Sequence, residues 1–211
     1  MNMKSTDIIA FIGVIGSGKD HRARQLVDLN YRRIDFKDDL LDLASDIAGY
    51  DVREEYDWFK ENPVGLRRPS NQLSEAMARS QVKKMLCRWP ELMTGRRLLT
   101  RLGTEGMRKR DDGYWVDRFV LAAKPVLAAG MSVVVADCRF ANEIETINRI
   151  GCRASFVFCD YRSNRYDSSL PHASERLAQA MLTLGLKDGE EIGQDHLARA
   201  VAIATPLLEK K

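Results

Sequence analysis

The stretch FIGVIGSGKDHRARQL, Phe11 to Leu26, constrains this chain more than any other. It carries G-x-x-x-x-G-K, Gly13 through Lys19, between an apolar run and a segment of helical spacing. Asp7 to Ile15 reads as a strand buried on both faces of a parallel sheet. Ala23, Leu26 and Val27 then recur at helical spacing, with Asn30 as a stop. In that context Gly13, Gly16, Ser17 and Gly18 form a loop whose N–H groups can face phosphate oxygens. The helix adds its positive end, and Lys19 can bridge the β- and γ-phosphates. The competing reading is a chance glycine-rich turn.

Asp20 stands where serine or threonine normally follows the loop lysine. A carboxylate is a good ligand for a hard cation, and beside a triphosphate it makes sense chiefly with magnesium between them. The alternative is an aspartate that only complements the helix dipole.

Downstream, YRRIDFK reads as a second strand and DDLLDLASDIAGY as a helix with aspartates in its first turn, so a βαβ beginning and a parallel sheet are expected. Asp51 to Pro69 is irregular and reads as an excursion. Ser70 to Leu86 reads as a basic helix, broken at Pro90 and Gly95, and RRLLTRLGTEGMRKR resumes helical spacing. Val116 to Ala129 follows as a helix containing Pro125. MSVVVADCRF is a strand bounded by Gly130, CRASFVFCD another, and HASERLAQAMLTLG and HLARAVAIATPLLEK are closing helices.

Length and composition fit one soluble α/β domain: 211 residues, 45% hydrophobic and 30% charged. No apolar run reaches the roughly 18 residues of a membrane span, and the start lacks a signal-peptide layout, so a cytoplasmic protein with no membrane partner is expected. Cys87, Cys138, Cys152 and Cys159 lack C-x-x-C spacing and read as reduced structural thiols. Gly65 to Arg110 holds twelve Lys and Arg against three Glu, a net +9 in a chain of +3. That asymmetry points to an anionic ligand or to solvated helix faces.

Several residues beyond the loop could carry chemistry. Asp137 ends a strand where parallel sheets meet ligands, with the same magnesium as its expected partner. Arg139, Asn142 and Glu143 follow it and could read phosphate, base or sugar, although capping by Asn142 and solvent exposure of Glu143 compete. Arg101, Thr104, Glu105 and Arg108 cluster near Tyr114 and Trp115. Trp115 could stack on a base or lie in the core. Arg162 and Arg165 follow a strand, where arginines can cover a transferring phosphoryl group. His172, Ser174 and Glu175 could be a helix N-terminus with no other task.

Taken together, GSGKD, FKDDL (Phe36 to Leu40), RRLLTRLGTEGMR (Arg96 to Arg108), ADCRFANEIE (Ala136 to Glu145) and HASE (His172 to Glu175) make the sequence resemble the deoxynucleoside monophosphate kinases of tailed bacteriophages over most of its length. The resemblance implies an α/β P-loop kinase fold of three layers, a central parallel sheet with helices on both faces. It implies a single domain over 1–211 with a largely helical acceptor-binding or lid insertion at about 51–115, and ATP and Mg2+ as cofactors. By resemblance Lys19 and the loop amides bind ATP phosphates, Asp20 and Asp137 organise magnesium, and Arg108, Arg139 and Glu143 help hold the acceptor. Asp38 matches the family pattern in FKDDL.

Two positions depart from the family. His21 stands where threonine is common, and Lys37 where a small residue is common. Extra positive charge suits a longer polyanion such as DNA. Three functions are therefore weighed. The first is transfer from ATP to a deoxynucleoside monophosphate, whose ionised acceptor needs no general base. The second is phosphorylation of a hydroxymethyl group of a modified pyrimidine in phage DNA, with Asp38 or Asp39 as base. The third is a non-catalytic ATP-binding module. A homodimer is common among small kinases, but no interface is legible.

Overall fold

The computed structural model describes residues 6–65, 92–150, 153–160 and 173–205. The chain divides into two compact units, Met1–Phe36 with Phe119–Lys211, and Lys37–Arg118. The excursion expected at about 51–115 lies inside the second unit.

In the first unit the described strands form a parallel sheet in the order β2 (Arg32–Arg33), β5 (Val133–Val135), β1 (Asp7–Gly13), β6 (Arg153–Cys159). Its register pairs Ile8 with Val133 and with Ala154, and Gly13 with Cys159. Val133 to Val135 are buried on both faces, as their unbroken apolar run predicts, whereas in β1 Ile8, Ala10 and Ile12 seal one face and Ile9 on the other is only partly buried. The sheet is flanked by helices, among them α1 (Lys19–Asp28), Ala141–Arg149 and Arg176–Thr183. Asn30 ends α1 as expected, with its φ at 73° in the left-handed region that asparagine tolerates.

From β1 the chain runs through α1 to β2 on one side. From β5 it runs through the helix over Ala141–Arg149 to β6 on the other. The connections leave β1 and β5 in opposite directions, so the carboxyl ends of these two neighbours flank a topological switch point, where open α/β sheets hold ligands.

The second strand is shorter than YRRIDFK suggests. Only Arg32 and Arg33 pair within it, although Ile34 N–H still donates to Val134 O at 3.0 Å. At the opposite edge, Gly13 meets β6 so closely that a Cβ there would lie 2.5 Å from Ser17 Oγ and closer still to the Cys159 carbonyl. Gly13→Ala is expected to cost about 3 kcal/mol in urea denaturation. Gly65→Ala, where a Cβ meets nothing within 4 Å, is expected to be near neutral in the same measurement.

The second unit has its own core of Leu41, Ile47, Phe59, Leu98, Leu102, Met107 and Trp115. It comprises α2 (Asp38–Ala48), α3 (Tyr56–Glu61), an antiparallel pair of β3 (Pro63–Gly65) and β4 (Leu92–Thr94), a helix over Gly95–Thr100 and a π-helical segment over Arg101–Arg108. The irregular text from Asp51 onward thus contains a short helix and a strand. The strand over Leu92–Thr94 precedes the resumed helix, which starts one residue before the expected Arg96, at Gly95. A Cβ there would press on the Phe59 ring at 2.7 Å, so this glycine is set by packing. The expected basic helix of Ser70 to Leu86 lies outside the described residues.

The helix expected at Val116 to Ala129 spans Tyr114–Ala128 and accommodates Pro125. Cys138 and Cys159 are buried thiols, while Cys87 and Cys152 lie outside the described residues. Among the described residues no helix is long and apolar enough to cross a membrane.

Candidate functional site

Between β1 and α1 the backbone alternates in the sign of φ. Gly16 and Gly18 are left-handed at 78° and 84°, with Ser17 between them in the ordinary region. Such alternation turns successive N–H groups toward one side, the geometry of an anion nest. Ser17 N–H closes the loop on Val14 O at 3.2 Å.

Lys19, the first residue of α1, is 5% exposed. Its ammonium folds back over the loop and donates to Gly13 O at 2.7 Å, Val14 O at 2.6 Å and Ser17 Oγ at 3.1 Å. Burial is the largest influence on this group, and the Arg139 guanidinium acts in the same direction. Together they lower its pKa from 10.5 to about 8, against the opposing pull of Glu175, Cys159 and Asp20. The charged form is therefore held in the loop at neutral pH but at a desolvation cost that an arriving anion would offset.

Asp20 projects from the first turn of α1 and is more than half exposed. Its carboxylate pairs with the Arg33 guanidinium, which also grips Asp35 Oδ2 through Nε at 2.9 Å and an Nη at 2.6 Å. Asp35 is buried and accepts the N–H of Ala136 at 2.7 Å, while Asp137 Oδ1 accepts the N–H of Phe36 at 2.9 Å. The segments after β2 and β5 thus exchange carboxylate-to-amide bonds, which fixes the backbone carrying Asp137.

Arg139 is held at two points. Its main-chain N–H donates to Glu143 Oε2 at 2.7 Å, and its guanidinium donates to Glu175 Oε1 at 2.9 Å and to Ser174 Oγ at 3.5 Å. Glu143 also accepts the N–H of Phe140 at 3.1 Å. It is buried, contrary to the exposed alternative, and its carboxylate caps the helix over Ala141–Arg149. Asn142 is half-buried in the first turn of that helix. Glu175 Oε2 accepts the N–H of Ile15 at 3.0 Å, so one sealed carboxylate joins the loop to Arg139.

The first unit thus brings Lys19, Arg139 and Glu175 together, with Asp20 reached through Arg33 and Asp35. Sequence reasoning missed Arg33 and Asp35. Their i, i+2 spacing, which puts both side chains on one face of an extended segment, is the signal that could have found them.

In the second unit, Arg101, Thr104, Glu105 and Arg108 lie on the π-helical segment, a form frequent at functional sites. Glu105 is exposed, and the mostly buried Arg108 lies 3.5 Å from Asp112. Trp115 belongs to the core, its indole N–H donating to Gly103 O at 3.2 Å. A ring sealed there has no face for a base. Asp38 accepts Arg53 at its backbone carbonyl, at 2.7 Å, and the Asp39 carboxylate pairs with Arg118. The Lys37 ammonium lies 6.0 Å from the centre of the Tyr56 ring. Arg162, Arg165 and His172 lie outside the described residues.

Among the described residues no cluster of three or more His, Cys, Asp or Glu side chains is arranged to hold a metal ion. Asp20 and Asp137 are hard oxygen donors of the kind magnesium takes in ones and twos, with phosphate and water completing its shell. Asp20 is paired with Arg33 and Asp137 Oδ1 accepts the Phe36 N–H, and these two carboxylates would be the residues to hold such an ion. Compared with known proteins, the chain matches no family model and no curated protein.

Proposed function

We propose that this chain is a kinase of the P-loop type that binds ATP at Gly13 to Lys19 and transfers the γ-phosphoryl group to a deoxynucleotide, in the first place a deoxynucleoside monophosphate. The observation that carries this reading is the loop itself. A buried ammonium on loop carbonyls, beside two left-handed glycines at the switch point of a parallel sheet, supports a phosphate-binding role.

In this reading the loop amides take the phosphate oxygens. Lys19 exchanges its carbonyl partners for the β- and γ-oxygens, and Arg139 stabilises charge on the group in transfer. Asp20 and Asp137 would hold magnesium, which neutralises phosphate charge when bound. Arg108 is assigned to the acceptor by the resemblance, and Arg101 and Glu105 are candidates for it on the same segment. A monophosphate acceptor is already ionised, so positioning and charge suffice. The DNA-hydroxymethyl reading asks for a base at Asp38 or Asp39, and the Asp39 carboxylate is already engaged by Arg118.

The test is transfer of labelled γ-phosphate from MgATP to a panel of deoxynucleoside monophosphates, set beside duplex DNA carrying hydroxymethyluracil. The expected product is labelled nucleoside diphosphate. Label on DNA alone would move the reading to the second acceptor, and label on neither would leave only a binding module.

A pH dependence follows from Lys19. With its pKa lowered to about 8, the lysine loses its charge above that value, and a bound phosphate favours the charged form. ATP affinity is expected to fall as pH rises above about 8, approaching tenfold per unit until the raised pKa of the ATP-bound lysine is reached. ATP is fully ionised throughout this range, so the titration reports the protein. Lys19→Arg, which stays charged, should flatten the calorimetric profile.

A further inference from the structure

We infer that Glu175 is a positioning residue, its buried carboxylate holding the Arg139 guanidinium at the mouth of the loop and fastening it to Ile15. The inference rests on the proposed phosphoryl transfer and extends it to a residue that the sequence left without a task.

Three observations carry it. Both oxygens of one carboxylate are used, Oε2 by Ile15 N–H at 3.0 Å and Oε1 by Arg139 at 2.9 Å. The Glu175 side chain is 4% exposed while that of Arg139 is 28% exposed, so the pair is sealed on the glutamate side and open on the arginine side. The Arg139 backbone is separately fixed by Glu143 at 2.7 Å. An arginine clamped at its main chain and at one guanidinium nitrogen still has donors on its open side.

Burying such a pair is a weak source of stability. What it provides is direction. The carboxylate comes from a segment 160 residues beyond Ile15 in the chain, so the arginine and the loop are held to a common anchor. A guanidinium already in place pays no ordering cost when phosphoryl oxygens arrive, which is the condition for a large electrostatic contribution to transfer.

Glu175→Gln separates this from simple support. The amide oxygen can still accept Ile15 N–H, but its NH2 then faces a guanidinium, donor against donor. The variant is compared with Arg139→Gln and with the double substitution, each checked by its melting temperature. Expected for Glu175→Gln is a fall in kcat of about 10- to 100-fold, with the Kd of a non-hydrolysable ATP analogue changed less than about threefold. The double variant should be no slower than Arg139→Gln alone.

Nitrogen-15 NMR of Arg139 adds a readout that needs no turnover. Its guanidinium N–H should exchange slowly in the wild type and rapidly in Glu175→Gln. Additive losses in the double variant, unchanged kcat, or tighter analogue binding at unchanged kcat would each overturn the inference, the last by making Glu175 a competitor of phosphate. A wild type with a pinned guanidinium that labels no acceptor would overturn the kinase reading, and the positioning role with it. An active wild type with full activity in Glu175→Gln overturns the positioning role alone.

Discussion

Lys19→Ala is expected to lower phosphoryl transfer by about 10²- to 10³-fold at saturating acceptor, the scale on which a preorganised electrostatic group is lost. The ammonium spends its donors on Gly13 O, Val14 O and Ser17 Oγ, so it is stationed in the loop before any ligand arrives. Its removal also leaves those acceptors without that donor, a cost of about 1–3 kcal/mol where water cannot replace it. Rate and stability must therefore be read together. Initial rates across an ATP series, with urea denaturation of the same preparation, separate them. A variant that keeps its fold and transfers within threefold of the wild type would remove Lys19 from the site.

Asp137→Asn is the second large effect, expected at about 10²-fold in transfer. Asparagine is chosen over alanine because Asp137 Oδ1 accepts the Phe36 N–H at 2.9 Å. An amide oxygen can keep that bond while the charge is removed. The melting temperature should hardly change, and added magnesium should restore part of the rate. A rate that stays high would leave Asp137 as a backbone clasp, as Asp35 is toward Ala136. The effect of Asp35→Asn should fall more on stability than on rate, since that carboxylate also carries Arg33.

Local sequence signals explain which parts of the molecule were legible. β1, α1, Asn30 and Val133 to Val135 declare themselves through periodicity, a stop residue and β-branching, all of which act within a few residues. The loop is legible for the same reason, since its glycines and lysine are contiguous. Gly95 is legible as the boundary before the resumed helix, but the packing that requires its smallness, against Phe59 more than thirty residues away, is not. The π-helical segment buries Leu102, Gly103, Gly106 and Met107, a spacing that reads in the sequence as an ordinary α-helix.

In the site, Glu175 looked like a helix terminus because its partners, Ile15 and Arg139, are 160 and 36 residues distant. Arg33 went unnoticed because its partner Asp20 is reached only after the chain has passed through α1 and returned along β2. Trp115 showed only its aromatic character, and the core it joins also takes in Leu41, Ile47 and Phe59 from distant parts of the chain. Long-range pairing is what one sequence read alone does not display.

The account stands on the loop holding a triphosphate. The most direct test is a nitrogen-15 NMR titration of the backbone amides with MgATP. Large shifts confined to Gly16, Ser17, Gly18, Lys19 and Asp20, absent in Lys19→Ala, are the result the account predicts. Saturation by ATP that leaves those amides unmoved would contradict it, because the nucleotide would then be bound elsewhere on the chain.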